Sequence, residues 1–508
     1  MTIYSALNNF IHSFSGSFIF QLIVCFFLGA SAVLSFSPFQ IENLIIFSLA
    51  IFFQFIYSSK NIKHAALLGL FFGIGFMGFG VSWIYISIEK FGGVSPSLAF
   101  IFTILFILFI SIYFSIFGGA VKLIGRNNKK PFVMIFIIPS LWFLIELARG
   151  LFFTGFPWLS IGYSQINSTI SSFAPIIGVY GVGFVIAFIA ASLTLWKKIW
   201  PVLLVLSIWL ISHGLSFTNW TEPMEEKINV AIVQGNIEQS KKWEPTLFFR
   251  NLQLYLDLTK NLSGSDVIVW PETAVAAFDD QIEEEILSPI QNLAAKNSFD
   301  LLTGIVNRNF RGEYYNSVIN LGASGRQIYK KSHLVPFGEY LPLKPISKTI
   351  FSFLSIPMSD FSPGENKRNI KLGGNSVGVS ICYEDVFSSE IAKSFPKSRY
   401  LVNVSNDAWF GDSLAPHQHL EIAQMRALEF GRFFVRSTNN GISAIIDNRG
   451  KIRKIAPQFK EFVLESELIL YEGATPYSNF NDVPLIIVSF ILLLICMSNK
   501  KPFSTKGQ

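Results

Sequence analysis

Long uninterrupted apolar stretches constrain the fold of this 508-residue chain more than any other feature of its sequence. A helix needs about 20 mostly apolar residues to cross the hydrocarbon core of a bilayer. Seven such stretches precede residue 220, and an eighth lies close to the end of the chain. The sequence therefore predicts eight transmembrane helices, at residues 18–36, 43–58, 65–88, 98–121, 131–148, 172–195, 199–217 and 483–498.

Charged residues divide the chain into two unlike parts. Residues 1–221 hold only 10 Lys and Arg and 3 Asp and Glu, whereas the whole chain has 40 and 34. The part that follows is long enough to form a soluble domain with its own core. We therefore expect a transmembrane bundle at 1–220, a soluble domain at 221–475, and a last transmembrane helix with a tail at 476–508.

The basic residues of the short loops predict how the bundle is oriented. Every second connection between the predicted spans carries two or more Lys or Arg, whereas the connections on the opposite side offer only Lys90 and Arg149. Because loops rich in Lys and Arg stay in the cytoplasm, we expect both termini there and the soluble domain outside. The residues that carry this bias lie in every second connection and in the tail: Lys60, Lys63, Lys122, Arg126, Lys129, Lys130, Lys197, Lys198, Lys500, Lys501 and Lys506.

The net charge of +6 does not indicate a nucleic-acid partner. The stretch 222–498 holds 27 Lys and Arg and 31 Asp and Glu, so the positive excess belongs to the loops and the tail. No basic patch with interleaved aromatic residues occurs in the soluble part. We therefore expect a membrane as the partner surface and no nucleic acid.

Beyond residue 228, short β-branched runs alternate with helical patterns, which is typical of a layered α/β fold. One strand ends at Cys382, the only cysteine outside the predicted spans, which contain Cys25 and Cys496. A lone thiol in an oxidising compartment has no disulfide partner and is either a reactive group or a small buried side chain. Two other strand ends offer Glu272 and Lys331. A thiol that attacks an acyl carbonyl needs such a proton acceptor and such a positive group.

The motifs around these three residues resemble the Glu-Lys-Cys triad of the nitrilase (carbon–nitrogen hydrolase) superfamily. The order of the motifs and the predicted spans resemble, along essentially the whole chain, the apolipoprotein N-acyltransferase family. The resemblance implies a four-layer α-β-β-α domain in the periplasm, carried on eight spans in the bacterial inner membrane. The motifs are Pro271-Glu272, Lys331-Ser332-His333-Leu334, Ile381-Cys382-Tyr383-Glu384, the run from Val404 to Gly411, Val233-Gln234-Gly235-Asn236 and Gly155-Phe156-Pro157-Trp158.

The resemblance also implies an activity and a role for each matching residue. The family passes an acyl chain from a phospholipid, usually phosphatidylethanolamine, through a cysteine thioester to the α-amino group of the diacylglyceryl-cysteine of an apolipoprotein. Cys382 would be the nucleophile, Glu272 the general base and Lys331 the group that stabilises the oxyanion. No metal or other cofactor is expected, and we expect a monomer. Further matches are Glu339, Tyr383 and Glu384 near the active site, and Trp243 and Trp409 at the substrate entrance.

The segment 345–363 is unusually apolar for a loop of a soluble domain. One hypothesis is an arm whose Phe351 and Phe353 contact acyl chains in the outer leaflet. The alternative is a loop packed on the core of the domain.

Other polar groupings allow two interpretations each. His417, His419 and Glu421 have the H-x-H-x-E pattern of a metal site, but helical residues two apart point to different faces, so we favour a structural role. Glu146 and Arg149 are either a functional pair or an ion pair at the membrane interface. Residues 153–165 are too polar to span, and we expect a re-entrant or surface loop.

Two other functions remain open. A membrane-tethered amidase of the nitrilase type would form the same thioester and give the acyl group to water. A transporter, or a sensor with an external ligand-binding domain, would not need Cys382. The eight predicted spans and the apolar loop favour acyl transfer between lipids.

Overall fold

The structure, a computed structural model, describes residues 17–125, 131–195, 197–262, 264–342, 360–365 and 367–498. Its first half is helical, as the apolar stretches predict. The helices of this half are α1 (Phe18–Ala32), α2 (Leu44–Ser58), α3 (Ile62–Gly80), α4 (Ile84–Phe91), α5 (Pro96–Gly125), α6 (Pro131–Leu151), α7 (Ala174–Leu193) and α8 (Ile199–Leu215).

Five helical segments of the described chain are long and apolar enough to cross a membrane. They are Phe18–Ser35, Ile62–Gly80, Pro96–Gly125, Met134–Thr154 and Thr169–Leu193. Three shorter apolar helices coincide with the other predicted spans: Leu44–Ser58, Ile199–Leu215 and Val483–Ser498. The sequence is therefore right about a membrane protein with several apolar helices before the α/β domain.

The predicted span 65–88 is wrong in its extent, because the helix ends at Gly80 and a separate short helix begins at Ile84. The cause is a contact with the second half of the chain. Gln418 donates a hydrogen bond to the carbonyl of Gly80 at 3.0 Å and accepts one from the indole of Trp83 at 3.2 Å. These bonds hold the chain in a turn where the hydropathy pattern alone would continue the helix.

Of residues 153–165, the stretch 157–165 is buried and ends in a 3₁₀ turn, so the surface-loop alternative is wrong for that stretch. Phe153, which precedes it, is exposed. The Arg149 guanidinium donates to the carbonyls of Phe156 at 2.6 Å and Trp158 at 2.5 Å. Glu146 accepts a hydrogen bond from the amide of Ile161 at 2.9 Å. Both charged side chains are buried, with 3.8 Å between their nearest charged atoms. They hold this loop and do not form an exposed interfacial ion pair.

Two β-sheets build the second half of the chain. The described strands are β1 (Glu222–Gln234), β2 (Val267–Val269), β3 (Val275–Phe278), β4 (Asp300–Arg308), β5 (Tyr314–Gly322), β6 (Gln327–Lys330), β7 (Asn369–Leu372), β8 (Asn375–Ile381), β9 (Tyr400–Ser405), β10 (Phe434–Thr438), β11 (Ala444–Ile446), β12 (Ile452–Ile455) and β13 (Phe462–Glu472). The first sheet has the order β13-β1-β2-β4-β5-β6, with β3 beside β4. The second has the order β12-β11-β10-β9-β8-β7.

Four of the remaining helices pack on the two sheets, and the last one packs against α6 of the bundle. The remaining helices are α9 (Gln239–Lys242), α10 (Phe248–Thr259), α11 (Ser288–Lys296), α12 (Ser388–Ile391), α13 (Leu414–Phe430), α14 (Pro476–Phe480) and α15 (Val483–Ser498). One apolar core lies between the sheets, and two others join the first sheet to α10 and the second to α13. The predicted α-β-β-α layering is the layering observed.

Helix α13 also contacts the bundle, chiefly along α7. The core of the bundle includes Phe387, Ile422 and Met425 from the α/β half. The two halves therefore share buried apolar surface, and the ends of the central strands lie close to the bundle.

Candidate active site

Cys382 directly follows β8, at a sharp turn beside the core between the two sheets. It is 8% exposed, and its backbone φ of 50° lies in the left-handed region that residues with a side chain rarely adopt. Asn403 donates a hydrogen bond to its carbonyl at 3.1 Å and thereby holds the turn. The turn leaves the thiol at the carboxyl end of a parallel strand, where ligands of α/β sheets commonly bind.

Glu272 and Lys331 lie close together near this thiol. The Lys331 ammonium is 3.7 Å from Glu272 Oε1 and 2.9 Å from Glu339 Oε1. The side-chain amide of Asn316 donates to both carboxylates, at 2.8 Å to Glu272 and 2.7 Å to Glu339. The cluster thus contains one ammonium, two carboxylates and an amide that joins the carboxylates.

The charges of the cluster act on the thiol and on the ammonium. Burial and the Glu272 carboxylate raise the pKa of the Cys382 thiol, against the opposing charge of Lys331. Burial works against the Lys331 ammonium, but Glu339 and Glu272 outweigh it and raise the lysine pKa. Lys331 therefore stays charged, and the thiol has to give up a proton as it attacks. The arrangement suits acyl transfer through a covalent thioester.

Glu384 links the cysteine turn to the lysine loop. Its carboxylate accepts hydrogen bonds from the amides of Ile381 at 2.8 Å and Ser332 at 2.8 Å. Burial opposes its charge, but Arg368, the amide of Ile381, the charge of Lys331 and the amide of His333 hold the pKa of Glu384 below its usual value. This carboxylate fixes the distance between the two loops and lies behind the reacting groups.

Tyr383 connects the site to the bundle. Its hydroxyl donates to the carbonyl of Gly155 at 3.1 Å, and its ring stacks on Trp158. His333 bonds Glu390 at 2.7 Å and the carbonyl of Thr154 at 3.0 Å, away from the thiol.

The predicted substrate-contacting aromatic residues lie in different places. Trp243 is 36% exposed and follows the short helix that ends at Lys242. Trp409 packs edge-on against Phe91 of α4, where the domain contacts the bundle. Phe351 and Phe353 lie outside the described residues, as does most of the apolar segment around them.

His419 does not form a metal-ligand set with His417 and Glu421 in the described part of the chain. Its ring lies between Asp385 at 2.9 Å and Asp407 at 3.2 Å, and Arg436 pairs with both carboxylates. Asp385 raises the pKa of His419 despite burial and the charge of Arg436. An imidazolium that donates from both nitrogens fits this position, which supports the turn after Cys382.

Three further residues of the site have no signal in the sequence alone. Asn316 lies in a strand and belongs to no motif. Nothing in the sequence distinguishes Lys242 from the other lysines. Lys242 is buried, and its ammonium donates to the main-chain carbonyl of Glu272 at 2.7 Å. Gly304 lets β4 approach Glu272, because a Cβ there would lie 2.7 Å from the Cα of Glu272. Lys242 lies beside Trp243, which matches the family, but nothing in the sequence marks the lysine itself as part of the site.

Family models match both halves of the chain. One described as "Apolipoprotein N-acyltransferase N-terminal domain" matches residues 28–192, and one described as "Carbon-nitrogen hydrolase" matches residues 229–472. The second match agrees with the two-sheet architecture that holds Glu272, Lys331 and Cys382.

Proteins named apolipoprotein N-acyltransferase are similar to nearly the whole chain. The one from Nitrosomonas europaea is 40% identical over 484 residues, which cover 93% of this chain and 96% of that protein. The one from Methylococcus capsulatus is 37% identical over 495 residues, covering 93% and 95%. The solved structure of Saccharomyces cerevisiae Nit3, a member of branch 10 of the nitrilase superfamily, is 21% identical over 53% of this chain and 97% of that chain, with a TM-score of 0.37.

The two family models and the two named relatives confirm the resemblance and the acyltransferase class that the motifs predict. The amidase alternative gains no comparable support along the first half of the chain. The chain belongs to the apolipoprotein N-acyltransferase family.

Proposed function

We propose that this protein moves an acyl chain from a phospholipid, preferentially phosphatidylethanolamine, to the α-amino group of the N-terminal diacylglyceryl-cysteine of an apolipoprotein. The observation that carries the proposal is the cluster in which Lys331 and Glu272 lie 3.7 Å apart beside the Cys382 thiol. The name that the relatives carry supports the acceptor. One chain supplies the whole cluster, which supports a monomer.

In the first half-reaction, the Cys382 sulfur attacks the ester carbonyl carbon as Glu272 accepts the thiol proton. The oxyanion that forms is stabilised by the Lys331 ammonium, a contribution of about 3–4 kcal/mol for a well-placed donor. The tetrahedral intermediate collapses, the C–O bond breaks, and Glu272 returns the proton to the departing lysophospholipid oxygen. A thioester remains on Cys382.

In the second half-reaction, the α-amine of the acceptor attacks the thioester carbonyl. Glu272 takes the amine proton, the C–S bond breaks, and the proton goes to the departing sulfur. The covalent intermediate is useful because donor and acceptor are both bulky lipids and need not bind together. Glu339, Tyr383 and Glu384 support the cluster. Trp243, Trp409, Phe351 and Phe353 would contact the substrates.

We further propose eight spans in the bacterial inner membrane, with segments at 1–220, 221–475 and 476–508, the middle one periplasmic. The three shorter apolar helices have 15, 17 and 16 residues, a little under the length that spans a bilayer unaided. Counting them makes the number of spans even, which leaves both termini on one side. The Lys-rich connections support the cytoplasm as that side.

The test is to trap the acyl-enzyme. Purified full-length protein is incubated with acyl-labelled phosphatidylethanolamine, and the labelled residue is mapped by mass spectrometry. We expect label on Cys382, and its transfer to a diacylated lipopeptide that is added next. Cys382→Ala should abolish both, whereas the matched variant Cys25→Ala, in α1, should keep both.

Three outcomes would contradict the proposal. Label on another residue would exclude Cys382 as the nucleophile. Release of free fatty acid without triacylated product would favour the amidase reaction. Full function of Cys382→Ala in cells would favour a transporter or sensor.

A further inference from the structure

A cavity of about 170 Å³ lies where the bundle meets the α/β domain. The bundle contributes Leu147, Leu151 and Tyr180 to its lining, and the rest of the chain contributes His333, Glu390 and Asp482. Since a water molecule takes about 30 Å³, the space suits a group of a few non-hydrogen atoms.

The cavity lies at the ends of two apolar helices, where a bilayer spanned by these helices would place its lipid headgroups. Leu147 and Leu151 belong to the last turns of the apolar segment Met134–Thr154, and Asp482 directly precedes the apolar helix α15. Beside it, Leu151, Phe152 and Phe153 are 64%, 64% and 77% exposed, an apolar strip that a bilayer would cover. A lipid next to this strip would have its headgroup beside the cavity.

One carboxylate of the lining, that of Asp482, is not paired with a cationic side chain among the residues that the structure describes. Asp482 is 7% exposed, and its hydrogen bond from the Tyr477 hydroxyl is long, at 3.4 Å. Within the described part of the chain it forms no ion pair, because the nearby Arg426 is paired with Glu429 at 2.9 Å. Burial, with Glu429 adding to it, raises the pKa of Asp482 to about 7. A cation in the cavity would remove this penalty.

The second carboxylate of the lining is only partly neutralised. Glu390 bonds the Arg368 guanidinium and the His333 ring, but Arg368 also pairs with Glu384 at 3.3 Å. Arg368 is therefore shared between Glu390 and a carboxylate outside the cavity, and Asp482 adds a second acidic group to the lining. The cavity has an acidic balance that favours a positively charged group and disfavours an anion.

Aromatic rings separate the cavity from the thiol. His333 stacks on Phe387 at 3.8 Å between ring centres, and Phe387 contacts Tyr383, the neighbour of Cys382, at 5.2 Å. A group held in the cavity is therefore close to the active site and still unable to touch the sulfur. An amine bound here is not the amine that attacks the thioester.

We propose that this cavity binds the ammonium of the donor lipid headgroup between Asp482 and Glu390, and thereby holds the ester near Cys382. This inference rests on the proposed function. It predicts that headgroups with an ammonium bind better than anionic headgroups without one.

The test measures binding separately from turnover. Native mass spectrometry compares full-length protein with dialkyl ether analogues of phosphatidylethanolamine and phosphatidylglycerol, which have no ester to transfer. Because a charge-assisted hydrogen bond is involved, we expect the ethanolamine analogue to bind about tenfold more tightly. Asp482→Asn and Glu390→Gln should each reduce this preference to less than about threefold. Glu284→Gln, which removes a charge from an exposed surface, should leave it unchanged.

No preference in the unaltered protein, or a preference that survives both substitutions, would overturn the inference. So would a case in which Asp482→Asn weakens only the binding of a diacylated lipopeptide with a free α-amine, because the cavity would then serve the acceptor. Failure of the proposed function would be detected in a different experiment, the acyl-enzyme labelling, as absence of label on Cys382 with an ordinary ester phospholipid.

Discussion

Asn316 holds together two carboxylates that would otherwise repel each other. Its amide donates to Glu272 and to Glu339, and both contacts lie beside the Lys331 ammonium. A hydrogen bond to a charged group is worth about 1.5–3 kcal/mol, so its loss should be visible in the rate.

We expect Asn316→Ala to lower kcat for acyl transfer by about tenfold or more, with a smaller change in KM. Asn320 is the matched control, because it lies on the same strand, is buried and also bonds a carboxylate, that of Asp300, at 3.2 Å. Asn320→Ala should lower thermal stability and leave kcat nearly unchanged. Equal losses of kcat in both variants would show that Asn316 acts only through folding.

Lys242 adds a second positive charge to the site, and burial lowers its pKa to about 8, against the opposing effects of Glu272 and Cys382. It therefore loses its charge as the pH rises through about 8. While charged, it favours the Cys382 thiolate.

The alkylation of Cys382 by iodoacetamide should report this charge. Below pH 8, we expect Cys382 to be alkylated more slowly in Lys242→Met than in the unaltered protein. Above pH 8, the two alkylation rates should converge. The exposed neighbour Lys241, which pairs with Glu238, is the control, and Lys241→Met should follow the unaltered protein. A rate ratio that is constant across pH 8 would contradict the prediction.

At the scale of elements, the strand β4 positions the general base by close contact. A Cβ at Gly304 would lie 2.1 Å from the amide nitrogen of Thr273 and 2.7 Å from the Cα of Glu272. Both atoms belong to the backbone, so the loop after β2 would have to move.

We expect Gly304→Ala to reduce labelling of Cys382 by at least about tenfold, because overpacking of about 1–3 kcal/mol would displace Glu272. Gly264→Ala is the matched control, since nothing lies within 4 Å of a Cβ at that position. Labelling and melting temperature are measured on the same samples. A Gly304→Ala protein that labels normally would show that the loop can adjust.

At the scale of the whole molecule, the proposed topology places the α/β domain and the α2–α3 connection on opposite sides of the membrane. A membrane-impermeant maleimide, applied to cells with a permeabilised outer membrane, should label Glu284→Cys and not Lys60→Cys. Both positions are exposed, so both should react in lysed membranes. The experiment is done with Cys382 replaced by Ala, and the other two native cysteines, Cys25 and Cys496, are buried and should contribute little background. Labelling of Lys60→Cys in intact cells would reverse the topology.

Sequence motifs predicted some residues of the candidate site and missed others. Glu272 and Lys331 follow strands of the first sheet, whereas Cys382 follows a strand of the second. The motifs predicted which three residues form the candidate site, but only the packing of the two sheets brings them together. Their catalytic roles stay predictions until the labelling experiments are done. Asn316 was not predictable, because its partners are 44 and 23 residues away and only the strand register brings them within reach.

The apolar helices, the α/β alternation and the strand ends that carry the triad could all be predicted from the sequence. Those properties depend on residues that are near one another in the chain, through hydropathy and period. The tertiary structure adds that α3 ends at Gly80, that Arg149 holds a buried loop, and that Asp482 lines a cavity and forms no ion pair among the described residues. These depend on contacts between distant segments, such as the 338 residues between Gly80 and Gln418. A buried polar group must find a partner wherever the fold supplies one, and local sequence does not encode that partner.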